Sequence, residues 1–118
     1  MQSFHDWFRV GVSLDMGTHE LTIQLCDDFK KRRASIYFEG ATRFIVEGFV
    51  AQNVVYSLTL LTESSTEYAV ARKALEEAHP WGDNWPMKKI ARISASLGAE
   101  ATVEFDRMRS VEVDSHNQ

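Results

Sequence analysis

Several residue types that stabilise or target small proteins are scarce in this sequence of 118 residues. Cys26 is the single cysteine, so no disulfide can form within the chain, and a reducing compartment is the usual setting of such a protein. No apolar run reaches the roughly 18 residues that a membrane-spanning helix needs. Residues 1–6 also lack the basic and apolar regions of a secretory signal. The sequence therefore predicts a cytoplasmic protein that has no membrane as a partner.

Positive charge is in deficit as well. Lys and Arg number 13 against 17 Asp and Glu, which gives a net charge of -4 at pH 7. A chain of this charge repels nucleic acids and anionic membranes. The basic run at 30–33 comes one residue after Asp27 and Asp28, so both signs of charge lie close together and we interpret the segment as a charged turn. Nucleic acid is therefore not an expected partner.

Sequence patterns of metal, cofactor and catalytic centres are also absent. The 4 His residues are scattered, with no His-x-x-x-His, Cys-x-x-Cys or Glu-x-x-His spacing, so no metal site is expected. No glycine-rich loop precedes a helix, which excludes phosphate binding of the Rossmann or P-loop type. Cys26 is followed by Asp27 and Asp28, whose negative charge disfavours a reactive thiolate. We expect neither catalytic residues nor a cofactor.

The chain does have regular alternation of apolar and polar residues, which predicts about seven β-strands. The alternating segments are 7–14, 21–26, 34–39, 42–51, 54–61, 89–97 and 101–106. Asp15 and Gly17 predict a turn after the first segment, with Gly17 taking positive φ. After a polar interval the pattern resumes at Val111 and Val113, which predicts a bend or an edge strand there.

One helix is predicted at about 65–79. Ser64 followed by Glu67 matches a capping box, and Pro80 cannot continue a helix. Residues with helical spacing should form its buried face: Tyr68, Ala71, Leu75 and Ala78. Since the strands recur at roughly 8 to 12 residue intervals, the predicted fold is a single α+β domain, mainly β. We expect an antiparallel meander curled as a sandwich or partial barrel.

The best candidate binding residues lie in a short loop after the helix. Trp81, Asp83 and Trp85 occur there, and tryptophan is enriched among the residues that dominate binding energy at interfaces. The two rings either form an exposed aromatic patch or pack over an open end of the fold. His5 and Asp6 are the other candidates, since a carboxylate can fix the tautomer of a nearby imidazole. Alternatively, they cap the entry to the first strand.

Short motifs in the chain resemble a group of small bacterial proteins. The motifs are Phe4-His5-Asp6 before the first predicted strand, Phe38-Glu39-Gly40 and Gln52-Asn53-Val54-Val55 in the middle, and the turn Gly98-Ala99. Over residues 4–113 the sequence is similar to the immunity protein 50 type, described as companions of polymorphic toxins. The resemblance implies a cytoplasmic, non-enzymatic protein that binds another protein.

Three classes of function follow as hypotheses. The first is binding of another protein, with toxin neutralisation as the specific form, because an acidic surface suits a basic partner. The second is a homo-oligomer, such as a homodimer, that pairs an edge strand at about 107–113 across a two-fold axis. The third is a small-ligand-binding barrel whose mouth is lined by Trp81, Trp85, His5 and Asp6.

Overall fold

The computed structural model describes residues 7–27, 32–48, 53–80, 86–98 and 100–114. Within these ranges the chain forms eight β-strands and one α-helix. The elements are β1 (Phe8–Asp15), β2 (Glu20–Cys26), β3 (Arg32–Glu39), β4 (Phe44–Glu47), β5 (Asn53–Leu60), α1 (Thr66–Ala78), β6 (Lys89–Leu97), β7 (Glu100–Phe105) and β8 (Arg107–Asp114). The predicted class, α+β with mainly antiparallel β structure, is confirmed.

The described strands pair in the order β4-β7-β6-β5-β1-β2-β3-β8. Its two halves, β4-β7-β6-β5 and β1-β2-β3-β8, are joined at one end of β1, where Phe8 pairs with Val54. They fold over a shared core, in which Phe38 of β3 and Phe105 of β7 lie edge to face with ring centroids 5.1 Å apart. The sheet therefore curls into a sandwich, as the sequence predicts.

The chain crosses from one half of the sandwich to the other after β3. β1, β2 and β3 form the expected meander, but β4 lies at the far edge beside β7. Gly40 makes the crossing with a φ of 65°, and a Cβ added there would lie 2.1 Å from Oδ2 of Asp106. Glycine is therefore the residue that this turn favours. The N–H of Thr42 then donates to the carbonyl of Glu104 at 3.1 Å, which attaches the crossing to β7.

β8 occupies the polar interval in which the sequence predicted a bend or an edge. It pairs with β3 along its whole length and is the outer strand of the sheet. The side chains of Arg107 and Arg109 are exposed, so a polar sequence is compatible with a strand here. The edge position predicted for 107–113 is confirmed, and the described part of the chain has eight strands where about seven were expected.

Helix α1 covers the outer surface of the half that contains β6. The residues buried between them are Tyr68, Ala71, Leu75 and Ile90. Ser65 caps the helix by accepting from the N–H of Tyr68 at 3.1 Å, so the predicted cap at Ser64 is wrong by one residue. The hydroxyl of Ser65 also donates to the carbonyl of Thr62, which holds it in the capping position. Ala78, expected on the buried face, is exposed in the last turn.

The observed helix bounds agree with the predicted 65–79. In the part of the chain that the structure describes, no helix has the length and apolar character needed to cross a membrane.

Candidate binding cleft

The site residues named from the sequence, Trp81, Asp83, Trp85, His5 and Asp6, all lie outside the described residues. The described structure contains an open cleft at one end of the sandwich, where the β1–β2 turn, the β3–β4 crossing and the β7–β8 turn meet. Its volume is about 650 Å³, within the ~300–1,000 Å³ that is usual for ligand sites. The described residues that line it are Leu14, Met16, Thr18, His19, Gly40, Thr42, Lys88 and Asp106.

The β1–β2 turn forms one wall of the cleft. Oδ1 of Asp15 accepts from the backbone N–H of Gly17 at 2.9 Å and of Thr18 at 3.3 Å. The positive φ expected at Gly17 falls on His19 instead, at 55°, where the chain leaves the turn for β2. Histidine tolerates this region better than most residues. The carbonyl of His19 accepts from the N–H of Ala41 at 2.8 Å, so the turn is tied to the β3–β4 crossing.

Two large apolar side chains on this wall are exposed. Leu14 is 42% exposed and Met16 is 79% exposed. Neighbouring apolar side chains at the rim of a cleft are typical of interaction sites, and methionine adapts its shape to a partner. Hydrogen bonds hold the backbone beneath them, so binding would need little further ordering of the turn.

Lys88 forms the polar side of the cleft. Its Nζ donates to the carbonyl of Gly40 at 2.7 Å and to Oγ1 of Thr42 at 3.3 Å, and it forms an ion pair with Oδ1 of Asp106 at 3.2 Å. Nζ thus makes two hydrogen bonds to the β3–β4 crossing and one ion pair with the β7–β8 turn. The hydroxyl of Tyr68 in α1 donates to the carbonyl of Lys88 at 2.5 Å. Lys88 therefore holds the surrounding segments together.

A polar network continues from Lys88 into the protein. Oγ1 of Thr42 donates to Oε1 of Glu104 at 2.6 Å. Glu104 and Arg43 are each 1% exposed, and Arg43 donates to both carboxylate oxygens, from Nε at 3.1 Å and from Nη2 at 2.9 Å. Nη1 of Arg43 contacts Glu76 on α1. The polar network thus consists of Asp106, Lys88, Thr42, Glu104, Arg43 and Glu76.

Arg43 is a permanent cation beneath the helix. Its hydrogen bonds to Glu104 raise its pKa above the ordinary value; burial opposes this rise, and the hydrogen bond to Glu76 adds to it. Nη1 also donates to the carbonyl of His79 at 3.3 Å. The cost of desolvation cancels much of the attraction in a buried ion pair. The clearest effect of such a pair is therefore that removal of one partner lowers the stability of the protein. Arg43, through its contacts with Glu104 on β7 and Glu76 on α1, holds the helix and the β3–β4 crossing against the sheet.

Sequence reasoning did not identify Lys88, Arg43 or Glu104. The available signal for Glu104 was its position on β7. One face of this strand's half of the sandwich is covered by α1 and the other face by the second half. A polar residue in the middle of such a strand, unlike Glu100 at its start, is buried and needs a partner. For the cleft, the signal was Met16, a large apolar residue inside a predicted turn.

Within the described ranges, no group of three or more His, Cys, Asp and Glu side chains is placed to hold a metal ion. Comparisons with protein-family models, curated proteins and solved structures found no match for this chain.

Proposed function

We propose that this chain is a non-enzymatic domain that binds another protein through the cleft. The observation that carries the proposal is the exposed pair Leu14 and Met16, which line the same cleft as the carboxylate of Asp106. Protein interfaces combine an apolar centre with a polar rim, and a few buried anchors supply most of the binding energy. Lys88 supports this role by holding the cleft in shape, since it hydrogen-bonds the β3–β4 crossing and forms an ion pair with Asp106.

The resemblance to the immunity protein 50 type gives the partner a specific form. If the resemblance holds, the partner is a toxin, and the protein neutralises it in the bacterial cytoplasm. The net charge of -4 supports a basic partner, because complementary charge speeds association. A protein encoded beside this chain is the first partner to test.

The decisive comparison uses two variants that place a charge on an exposed apolar position. Met16→Asp changes the cleft, whereas Val70→Asp changes a 64% exposed residue of α1 that does not line it. We expect Met16→Asp to weaken binding of the co-encoded protein roughly tenfold or more, as loss of an interface anchor does. Val70→Asp should bind like the wild type. Calorimetry gives the affinities, and rescue of growth in cells that express the partner should follow the same order.

Two results would contradict the proposal. One is equal affinity of Met16→Asp and the wild type. The other is absence of binding to the co-encoded protein together with no rescue of growth.

A homodimer is the second candidate, favoured by the open edge at β8. This outer strand has an exposed apolar residue, Val111, and could pair with β8 of a second copy across a two-fold axis. It ranks second because exposed charges such as Arg109 are typical of edges that stay unpaired. Light scattering decides: a dimer mass supports this candidate, and a monomer at high concentration removes it.

A further inference from the structure

We infer that the cleft receives an arginine side chain of the partner protein; this inference rests on the proposed function. The first step is that Asp106 offers an available acceptor. Its side chain is 62% exposed, and its ion pair with Lys88 engages Oδ1. Among the described residues, no hydrogen bond reaches Oδ2. A cation in the cleft can therefore pair with this carboxylate, which lines it.

The second step is that the acceptor is held in place. The N–H of Asp106 donates to the carbonyl of Glu39 at 2.9 Å, and Lys88 contacts the carboxylate from one side. On another side, the carboxylate lies so close to Gly40 that an added Cβ there would be 2.1 Å from Oδ2. A positioned carboxylate binds a cation with less ordering cost than a mobile one.

The charged residues of the cleft determine the sign of the charge that it accepts. Among the described lining residues, Lys88 is the one Lys or Arg; its side chain is only 12% exposed, and its Nζ already makes two hydrogen bonds and an ion pair. An anionic ligand would have to displace one of these contacts and approach Asp106. The cleft therefore favours a positive group.

The apolar wall of the cleft favours arginine over lysine. Leu14 and Met16 give the cleft an apolar wall, which suits an aliphatic stem that ends in a charge. The guanidinium group is planar and weakly hydrated, so it tolerates an apolar neighbour, whereas an ammonium group is strongly hydrated. The net charge of -4 also favours approach of a basic segment. Arginine satisfies all of these conditions.

The test uses two acetylated, amidated peptides, Gly-Leu-Arg-Leu-Gly and the same peptide with citrulline, which has nearly the shape of arginine without its charge. Titration into ¹⁵N-labelled protein should shift the amide signals of Thr18, His19 and Gly40. We expect the arginine peptide to bind about fivefold more tightly, as one partly exposed charge pair would give. Asp106→Asn should make the two peptides equivalent. The control Glu63→Gln, at an exposed carboxylate outside the cleft lining, should keep the preference.

Equal binding of the two peptides to the wild type would overturn the inference, as would a preference that survives Asp106→Asn or shifts confined to other surfaces. The proposed function fails separately. If neither peptide binds but Met16→Asp abolishes binding of the co-encoded protein, the arginine inference is wrong and the binding cleft stands. If the arginine preference holds but Met16→Asp binds the co-encoded protein normally, the protein-binding role of the cleft is wrong.

Discussion

The two ends of the polar network have the same kinds of charge in opposite surroundings. At the inner end, the side chains of Arg43 and Glu104 are 0% and 1% exposed and their Nη2–Oε2 distance is 2.9 Å. At the outer end, Lys88 and Asp106 are 12% and 62% exposed and their Nζ–Oδ1 distance is 3.2 Å. Water can replace a lost partner at the outer end but not at the inner one. The inner ion pair thus stabilises the fold beneath α1, whereas the outer ion pair leaves the carboxylate of Asp106 accessible in the cleft.

The largest effect should come from breaking the inner end with Arg43→Met. This change removes the guanidinium group that pairs with the buried carboxylate of Glu104, so we expect a loss of about 3–5 kcal/mol in the free energy of unfolding. Urea unfolding followed by circular dichroism measures it. The matched control is Arg92→Met, because Arg92 forms a half-exposed pair with Glu100 at 3.4 Å. The control should lose less than about 1 kcal/mol, and equal losses in the two variants would contradict the contrast.

Removing both inner charges sharpens the comparison. Arg43→Met combined with Glu104→Leu leaves no member of this pair as an unpartnered charge. We expect the double variant to recover about 2 kcal/mol relative to Arg43→Met alone, since apolar replacements of a buried pair are often tolerated. The same urea measurement applies. A double variant less stable than the single one would mean that the network stabilises by attraction and not by avoiding an isolated charge.

Thr42 links the two ends, and its replacement should have an intermediate effect. Thr42→Val keeps the shape but removes the donor to Glu104 and the acceptor for Lys88. We expect a loss of about 1–2 kcal/mol in the free energy of unfolding, because a buried acceptor loses one of its bonds. Thr59→Val, at an exposed position of β5, is the control and should change stability little. Equal losses of stability in the two variants would mean that Thr42 does not connect the inner end of the polar network to the cleft.

The smallest effect on stability should come from the outer end. Asp106→Asn removes a charge that is largely in water, and Lys88 keeps its bonds to Gly40 and Thr42. We expect a loss below about 1 kcal/mol in the free energy of unfolding. A loss as large as that of Arg43→Met would make Asp106 a structural residue and remove the contrast between the two ends.

Much of the fold could be predicted because it depends on local periodicity. Alternation located the strands, and helical spacing with Pro80 located α1. The position of β4 could not be predicted in this way, since local pattern does not determine which strands become neighbours. That choice depends on the crossing at Gly40 and on the contacts of Arg43 and Glu104, which lie far apart in the sequence.

The segments that form the cleft could be predicted individually as turns, but their meeting in space could not. The turn beginning at Asp15 and the polar break at Asp106 both carried turn signals, and Gly40 punctuated a strand. Their convergence at one end of the sandwich follows from the strand order. The sequence pointed to aromatic residues, Trp81 and Trp85, which lie outside the described residues, because residue type is evident in a sequence and long-range position is not.

Amide hydrogen exchange, with and without the co-encoded protein, tests the binding cleft most directly. It needs no substitution, and it compares the cleft with the open edge in the same sample. We predict that the partner slows exchange at residues 16–19 and 40–42, on the two sides of the cleft, and leaves β8 unchanged. Slowing confined to β8, with the cleft amides unaffected, would contradict the account and assign binding to the sheet edge.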